Sequence, residues 1–166
     1  FKVECPTTYL STVTFDNGTI IRLTLSFDVI AHQRNHIELY GDKGSIIVPD
    51  PNMFGGSVYT CKKLGDPWKE HKTNKMPLGK INIRSQSSRA NESSTNSNYR
   101  GAGLAEMAYS IQNKKINKCN GELSLHILDI IQSMMKACKT GKAQSIKTTC
   151  KKPQPFSLNE IRKILK

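Results

Sequence analysis

The sequence predicts an α+β fold: an open, mainly antiparallel β-sheet with helices packed on one face. Two observations carry this prediction. Short segments of alternating apolar and polar residues, separated by turn signals, fill the first 62 residues, whereas apolar residues at helical spacing begin only after Gly103. The length of 166 residues suffices for one domain with a core of its own.

The first predicted hairpin surrounds Asp16-Asn17-Gly18. The Asn-Gly pair predicts a type I′ turn, because both central positions of that turn require a positive φ. A strand enters the turn between Tyr9 and Phe15, and the return strand is predicted over residues 19–29. Its residues alternate, so one face meets a core and the other, with Arg22, Thr24, Ser26 and Asp28, stays polar.

Three further strands and the start of a fourth follow. They are predicted at residues 36–40, 45–48 and 57–62, with Trp68 marking the sixth strand of the chain. A turn at Gly41-Asp42-Lys43-Gly44 joins the first two of them. The segment Pro49-Asp50-Pro51-Asn52 ends the next, because proline cannot donate to a β-ladder.

A polar stretch separates the strands from the helices. Ser85 to Asn98 contains almost no apolar side chain, which predicts a mobile loop. Four apolar residues then recur at positions i, i+3, i+4 and i+7, which predicts a helix that buries this face: Leu104, Met107, Ala108 and Ile111.

The clearest predicted helix covers Gly121 to Lys139, with Asn120 as its N-cap and Gly141 as its end. A strand is expected over residues 144–148. The last element is a short helix that ends near Leu165. It opens with Ser157-Leu158-Asn159-Glu160, the spacing of a capping box.

Charge is unevenly distributed along the chain. The 25 basic and 13 acidic residues give a net charge of +12, and residues 112–166 carry most of the excess. This predicts either a solvated lysine-rich face or a surface for a polyanion. Lysines greatly outnumber arginines, which argues against nucleic acid, and no apolar run is long enough to span a bilayer.

Five cysteines without a C-x-x-C pair predict reduced, structural thiols and no zinc site. The chain begins Phe1-Lys2-Val3-Glu4, without a methionine or a secretory signal. We therefore expect a piece of a longer, cytoplasmic protein.

Two patterns only superficially resemble sites. Gly101-Ala102-Gly103 begins like the dinucleotide fingerprint G-x-G-x-x-G, but the third glycine is missing and a polar loop precedes it instead of a strand. Asp28 and His32 have acid–base spacing, yet Asp28 ends a strand, so the two side chains need not converge. His32 is nevertheless expected at a sheet edge that faces either solvent or a cleft.

Two other groups are ambiguous. Glu122, His126 and Asp129 share one helix face, where an ion pair or a satisfied surface histidine is the simpler interpretation. Tyr99 and Arg100 precede a helix start, where an aromatic ring and a guanidinium can hold a hydroxylated or anionic small molecule. Structural packing of Tyr99 is the alternative.

Four strings in the sequence resemble the C-terminal domain of the glucose–fructose oxidoreductase / inositol dehydrogenase / rhizopine-catabolism (Gfo/Idh/MocA) family. The resemblance runs from about Val3 to Pro155, and its most specific part lies between Ile37 and Gly56. The strings are TFDNGTIIRLTLSFDV, IELYGDKGSIIVPDPNMFGG, NYRGAGLAEMA and NGELSLHILDII.

This resemblance implies half of an NAD(P)-dependent oxidoreductase of sugars, inositols or related polyols. Residues 1–155 would be the substrate and oligomerisation domain and residues 156–166 a tail helix. NAD or NADP would belong to an N-terminal Rossmann domain, which also carries the family's E-K-P lysine. The family's D-x-x-x-H motif lies upstream of this segment, so the chain itself is expected to hold no catalytic residue, cofactor or metal and to be inactive alone.

By the same resemblance, Asn98, Tyr99 and Arg100 would approach the cleft of a small polyol substrate. We place His32 with them as a candidate substrate-binding residue. An uncovered sheet face would form a homodimer or a higher oligomer, with no nucleic-acid or membrane partner. The alternative is a stand-alone, non-catalytic interaction module that uses the sheet face or the basic C-terminal third.

Overall fold

The computed structural model describes residues 2–80 and 97–165. Within them, antiparallel sheets occur in the first half of the chain and three helices in the second, which confirms the α+β fold class. The structure divides into two compact units, each described by itself below. The first contains residues 1–34 and 126–148, and the second contains residues 35–125 and 149–166.

The elements lie close to where the sequence predicts them. The strands are β1 (Thr8–Thr14), β2 (Ile20–Ser26), β3 (Ile37–Gly41), β4 (Gly44–Val48), β5 (Ser57–Cys61) and β6 (Lys69–Lys72). The helices are α1 (Ala102–Gln112), α2 (Gly121–Thr140) and α3 (Leu158–Ile164). Of the loop predicted over residues 85–98, all but the last two residues lie outside the part that the structure describes.

In the first unit, β1 and β2 form an antiparallel hairpin whose turn differs from the predicted type I′ turn. Of the turn residues, only Gly18 has a positive φ, at 83°. The Gly18 amide donates to the Phe15 carbonyl at 2.9 Å, and the Phe15 amide donates to the Thr19 carbonyl at 2.9 Å. This is the three-residue loop in which a single αL glycine follows a type I turn. The Asn17 side chain accepts from the Thr19 amide at 3.0 Å, which holds the turn.

Alternation along the hairpin separates two faces. Ser11 on β1 is half-buried and donates to the Met134 sulfur of α2 at 3.2 Å, so its face is the inner one. Cross-strand partners share a face of an antiparallel sheet. The pairs Thr12↔Arg22 and Leu10↔Thr24 therefore lie on the opposite, outer face.

The predicted caps of α2 are confirmed. The Asn120 side chain accepts from the Leu123 amide at 3.0 Å, which satisfies one of the unpaired amides of the first turn. At the other end, Gly141 has a φ of 64° and donates its amide to the Ala137 carbonyl at 2.8 Å. A left-handed glycine at this position ends the helix.

The strand predicted over residues 144–148 is wrong: none of these residues lies in a strand. The reason lies on α2. The amides of Lys147 and Thr148 both donate to the Asp129 carboxylate at 2.9 Å. A carboxylate thus takes the amide hydrogen bonds that a neighbouring strand would have accepted.

In the second unit, β3, β4, β5 and β6 form an antiparallel sheet in sequence order. Leu39 pairs with Ile46, which in turn pairs with Thr60, so these side chains share one face. After β4, the Asp50 carboxylate accepts from the Asn52 amide at 2.9 Å. The predicted turn after the strand is confirmed by this local hydrogen bond.

Helix α1 buries the opposite face from the one its sequence predicts. Its buried residues are Ala102, Glu106 and Ser110, whereas Leu104 is 74% and Ile111 is 72% exposed. The physical reason is that Glu106 has internal partners. Its carboxylate accepts from the Ser110 hydroxyl at 2.9 Å and from the Lys118 amide at 3.1 Å.

Helix α3 begins with the predicted capping box. The Ser157 hydroxyl accepts from the Glu160 amide at 3.1 Å, and the Glu160 carboxylate accepts from the Ser157 amide at 3.3 Å. Lys118 ties the helix down, since its ammonium lies 3.1 Å from Glu160 and 4.8 Å from the centre of the Phe156 ring. α3 contacts α1, and its Ile161 side chain is buried.

The turn between β3 and β4 gives a test of the sheet. Gly44 has a φ of 136°, and a Cβ there would collide with the Cys61 carbonyl of β5. We expect Gly44→Ala to lower the free energy of unfolding by about 1–3 kcal/mol, as strained backbone positions do. Gly41→Ala is the matched control, because a Cβ there meets only one atom, at 3.8 Å. Urea denaturation of both variants measures the difference, and equal stabilities would contradict this account.

Candidate functional site

The segment Asn98–Arg100 lies directly before α1 in the second unit. The Tyr99 ring packs edge-on against Phe54, with 5.8 Å between the ring centres and 74° between their planes. The Tyr99 hydroxyl donates to the Lys80 carbonyl at 3.1 Å. Tyr99 thus has a structural role, and its hydroxyl already has a partner.

Arg100 is held differently. Its backbone amide donates to the Asn98 side chain at 3.3 Å, which fixes the start of the turn into α1. Its guanidinium is exposed and donates from Nη2 to the Asn52 carbonyl at 3.5 Å. A guanidinium has five N–H donors in a planar fork, and this long hydrogen bond is the only one that Arg100 Nη2 makes within the described residues, so most of these donors stay available.

A small frame supports this segment. Ser97 is buried, pairs with Phe54 as an isolated β-bridge, and donates its hydroxyl to the Gly79 carbonyl at 3.0 Å. The turn after β4 and residues 79–80 thereby fix the position of residues 97–100. Asn52 and Phe54 were missed as site residues, although they lie in the string PDPNMFGG, the end of the most specific part of the resemblance.

His32, the fourth predicted site residue, belongs to the first unit, whereas Asn98, Tyr99 and Arg100 belong to the second. It is exposed and lies in the segment that follows β2. Nearby, the Asp28 carboxylate accepts from the hydroxyl of Thr7 at 2.5 Å and from that of Thr8 at 2.6 Å. These hydrogen bonds lower the pKa of Asp28, so this carboxylate stays ionised and ties the end of β2 to β1.

The residues around Gly101 do not fit a dinucleotide. Gly101 adopts a φ of −78° and a ψ of −7°, a conformation open to any residue. Apart from its immediate chain neighbours and the helix's own backbone, a Cβ at Gly101 or at Gly103 would meet no atom of the described residues within 4 Å. The glycines of a dinucleotide fingerprint serve a tight turn and a close backbone approach, and neither is found here.

The polar face of α2 forms a hydrogen-bonded chain with Thr148. The Thr148 hydroxyl lies 2.9 Å from Asp129 Oδ2 and 3.1 Å from His126 Nδ1. The Thr148 amide and hydroxyl and the Lys147 amide all stabilise the charged carboxylate, which lowers the pKa of Asp129. The polar face of α2 that the sequence predicts therefore makes contacts, and these contacts hold Lys147 and Thr148 against the helix.

The Asp129 carboxylate decides how the Thr148 hydroxyl is used. An ionised Asp129 can only accept, so the single Thr148 hydroxyl proton points to it. His126 Nδ1 lies within hydrogen-bond distance of the same hydroxyl oxygen, at 3.1 Å. The arrangement is that of a satisfied histidine on a helix face, as the simpler interpretation predicts.

Two negative findings concern the residues that the structure describes. Among residues 2–80 and 97–165, no three His, Cys, Asp or Glu side chains are grouped so that they could hold a metal ion. None of the helices described is both long and apolar enough to cross a membrane.

The fold and the frame around Arg100 define an α+β domain that presents a cation beside a helix start and lacks a nucleotide fingerprint. A family model described as "Oxidoreductase family, C-terminal alpha/beta domain" (GFO_IDH_MocA_C) matches residues 4–148. The chain therefore belongs to this oxidoreductase family, as its C-terminal domain. No curated protein and no solved structure matches it significantly.

Asp129 gives a test by pH. Because its pKa is lowered in the folded state, its stabilising contribution is present above the unfolded value of about 3.9 and is lost as the pH falls through the folded value. We expect Asp129→Asn to be less stable than wild type at neutral pH and to lose less stability below about pH 4. Urea unfolding across the acid range measures both effects, with Ser145→Ala as the control in the same segment. Parallel curves for wild type and Asp129→Asn would overturn the assignment.

Proposed function

We propose that this chain is the substrate and oligomerisation domain of an NAD(P)-dependent oxidoreductase that acts on a sugar, an inositol or a related polyol. Residues 1–155 form that domain and residues 156–166 its tail helix. NAD or NADP is held by an N-terminal Rossmann domain, where hydride transfer takes place, and the isolated chain is inactive. The parent enzyme is cytoplasmic.

The main observation that supports this proposal is the exposed guanidinium of Arg100. It extends from a segment whose neighbours Ser97 and Tyr99 contact Phe54, Gly79 and Lys80, so the backbone of Arg100 is positioned before a ligand arrives. Its planar fork of donors suits two neighbouring hydroxyl oxygens of a polyol. In this role, Arg100 binds and orients the substrate, Asn98 fixes the Arg100 backbone, and Tyr99 is a support.

Fewer observations support a substrate-binding role for His32. It is exposed and lies in the first unit, and its contribution to the cleft stays a prediction from the sequence.

The outer face of the β1–β2 hairpin is the proposed subunit interface. It combines threonines with two apolar residues, Leu10 and Ile20, which are 69% and 63% exposed. A mixed face of this kind suits a partly hydrated contact between two copies of the chain. Its residues are Thr8, Leu10, Thr12, Thr14, Ile20, Arg22, Thr24 and Ser26.

The substrate role is tested in the enzyme that contains this domain. We expect Arg100→Ala to raise KM for the polyol by roughly tenfold to a hundredfold, since a hydrogen bond to a charged group is worth about 1.5–3 kcal/mol. KM for NAD(P) should not change, and Arg100→Lys should restore affinity only in part. The measurement is steady-state kinetics on a panel of glucose, xylose and myo-inositol.

The control for this experiment is Tyr99→Phe. It removes only the hydroxyl that donates to Lys80 and keeps the ring against Phe54, so KM should stay close to wild type. If Arg100→Ala leaves the KM of every polyol unchanged, Arg100 does not bind the substrate.

The interface is tested by sedimentation equilibrium. The chain is expected to sediment as a dimer or a higher oligomer, and Leu10→Lys to shift it to the monomer, because a charge would be buried in the contact. Leu64→Lys is the matched control, as Leu64 is fully exposed in the turn before β6. A wild-type chain that is strictly monomeric at high concentration would count against the interface.

A further inference from the structure

Leu78 is one of two residues other than glycine that have a positive φ in the part of the chain that the structure describes. Its φ is 60°, and that of the other residue, Lys114, is 53°. Lys114 follows Asn113, the C-cap of α1, where a left-handed residue commonly ends a helix. Leu78 lies outside the helices and strands. A left-handed backbone is unfavourable for leucine, so its surroundings must maintain this conformation.

Leu78 occupies the third position of a β-turn that runs from Met76 to Gly79. The Gly79 amide donates to the Met76 carbonyl at 3.1 Å, and Pro77 stands in the second position. Proline in the second position and a positive φ in the third are features of a type II turn. Such a turn ordinarily has glycine or asparagine where this chain has Leu78. The chain therefore keeps this turn with an unfavourable residue in it.

The two residues that follow Leu78 support the candidate site. The Gly79 carbonyl accepts from the Ser97 hydroxyl at 3.0 Å, and the Lys80 carbonyl accepts from the Tyr99 hydroxyl at 3.1 Å. Both acceptors belong to the backbone, so the path of the chain decides where they point. The dihedral angles at Leu78 set the direction of the chain immediately before these two carbonyls.

We propose that Leu78 is a positioning residue for the substrate site. Its left-handed conformation aims the carbonyls of Gly79 and Lys80, and these hold the segment from which Arg100 extends. Leu78 acts through the backbone and does not itself touch the substrate. Strained residues cluster at sites that need pre-organisation, where the surrounding structure maintains them. The inference rests on the proposed function, in which Arg100 binds the polyol.

A role of Leu78 in packing alone would rank substitutions in the opposite order. Its side chain is half-buried, so packing favours an apolar replacement. Valine is apolar, but a β-branched residue tolerates a left-handed backbone least. Asparagine is polar, yet it enters the left-handed region more readily than most other residues. Positioning therefore favours asparagine, whereas packing favours valine.

Steady-state kinetics on the enzyme that contains this domain distinguish the two roles. We expect Leu78→Val to raise KM for the polyol about tenfold and to leave kcat unchanged, because the left-handed conformation becomes less populated. Leu78→Asn should keep KM within about twofold of wild type. Met76→Val is the matched control and should not change KM. Met76 is 62% exposed in the same turn, and its hydrogen bonds there are made by its backbone.

Amide hydrogen exchange, measured by NMR on the chain itself, gives a readout that needs no substrate. The Arg100 amide donates to the Asn98 side chain at 3.3 Å, and the Ala102 amide donates to the Tyr99 carbonyl at 2.8 Å. Both amides should exchange about tenfold faster in Leu78→Val than in wild type, because local opening becomes easier. In Leu78→Asn they should exchange at the wild-type rate. Circular dichroism verifies that each variant is folded.

Three results would overturn the role of Leu78. They are a larger rise of KM in Leu78→Asn than in Leu78→Val, an unchanged KM in Leu78→Val where Arg100→Ala raises it, and unchanged exchange of the Arg100 amide in Leu78→Val. If Leu78→Val does not fold, Leu78→Asn decides, since a wild-type KM supports positioning and a raised KM contradicts it. The proposed function fails separately, when Arg100→Ala itself leaves KM unchanged.

Discussion

The buried carboxylate of Glu106 is the interaction on which the second unit depends most. It accepts from the Ser110 hydroxyl one turn along α1 and from the Lys118 amide beyond the helix. A buried charge is tolerated only when such donors surround it, so the rotation of α1 is fixed by this one group. Lys118 then extends the link, because its side chain holds the Glu160 carboxylate at the start of α3. The exposure of Leu104 and Ile111 on the opposite face of α1 follows from this.

In the first unit, the carboxylate of Asp129 likewise fixes a segment beside its helix. Its carboxylate takes two backbone amides and a hydroxyl from residues 147 and 148, where a regular sheet would have offered a neighbouring strand. In both units, a single carboxylate on a helix anchors a segment that has no regular structure of its own. Backbone donors near a helix must be satisfied by some acceptor, and these two side chains supply it.

In the candidate site, Tyr99 has a structural role and Arg100 an exposed, available side chain, a difference that the residue types alone do not show. Tyr99 and Arg100 are adjacent, yet the hydroxyl of Tyr99 donates to the Lys80 carbonyl, and the Arg100 guanidinium stays exposed. The turn after β4 supplies the support through Asn52 and Phe54. The chain is the C-terminal domain of an oxidoreductase family, and Arg100 is the residue in it that we propose binds substrate.

The sequence by itself determined the features that depend on neighbours within about four residues. These are the ends of most strands, the cap at Asn120, the stop at Gly141 and the capping box at Ser157. The family also followed from sequence strings, and the family model confirms it. Only the tertiary structure decided which face of α1 is buried and that residues 144–148 are not a strand. The partners that settle these questions, Lys118 for Glu106 and Thr148 for Asp129, lie 12 and 19 residues away. Periodicity shows that a helix has two different faces, but the distant donor that satisfies a buried charge decides which of them turns inward.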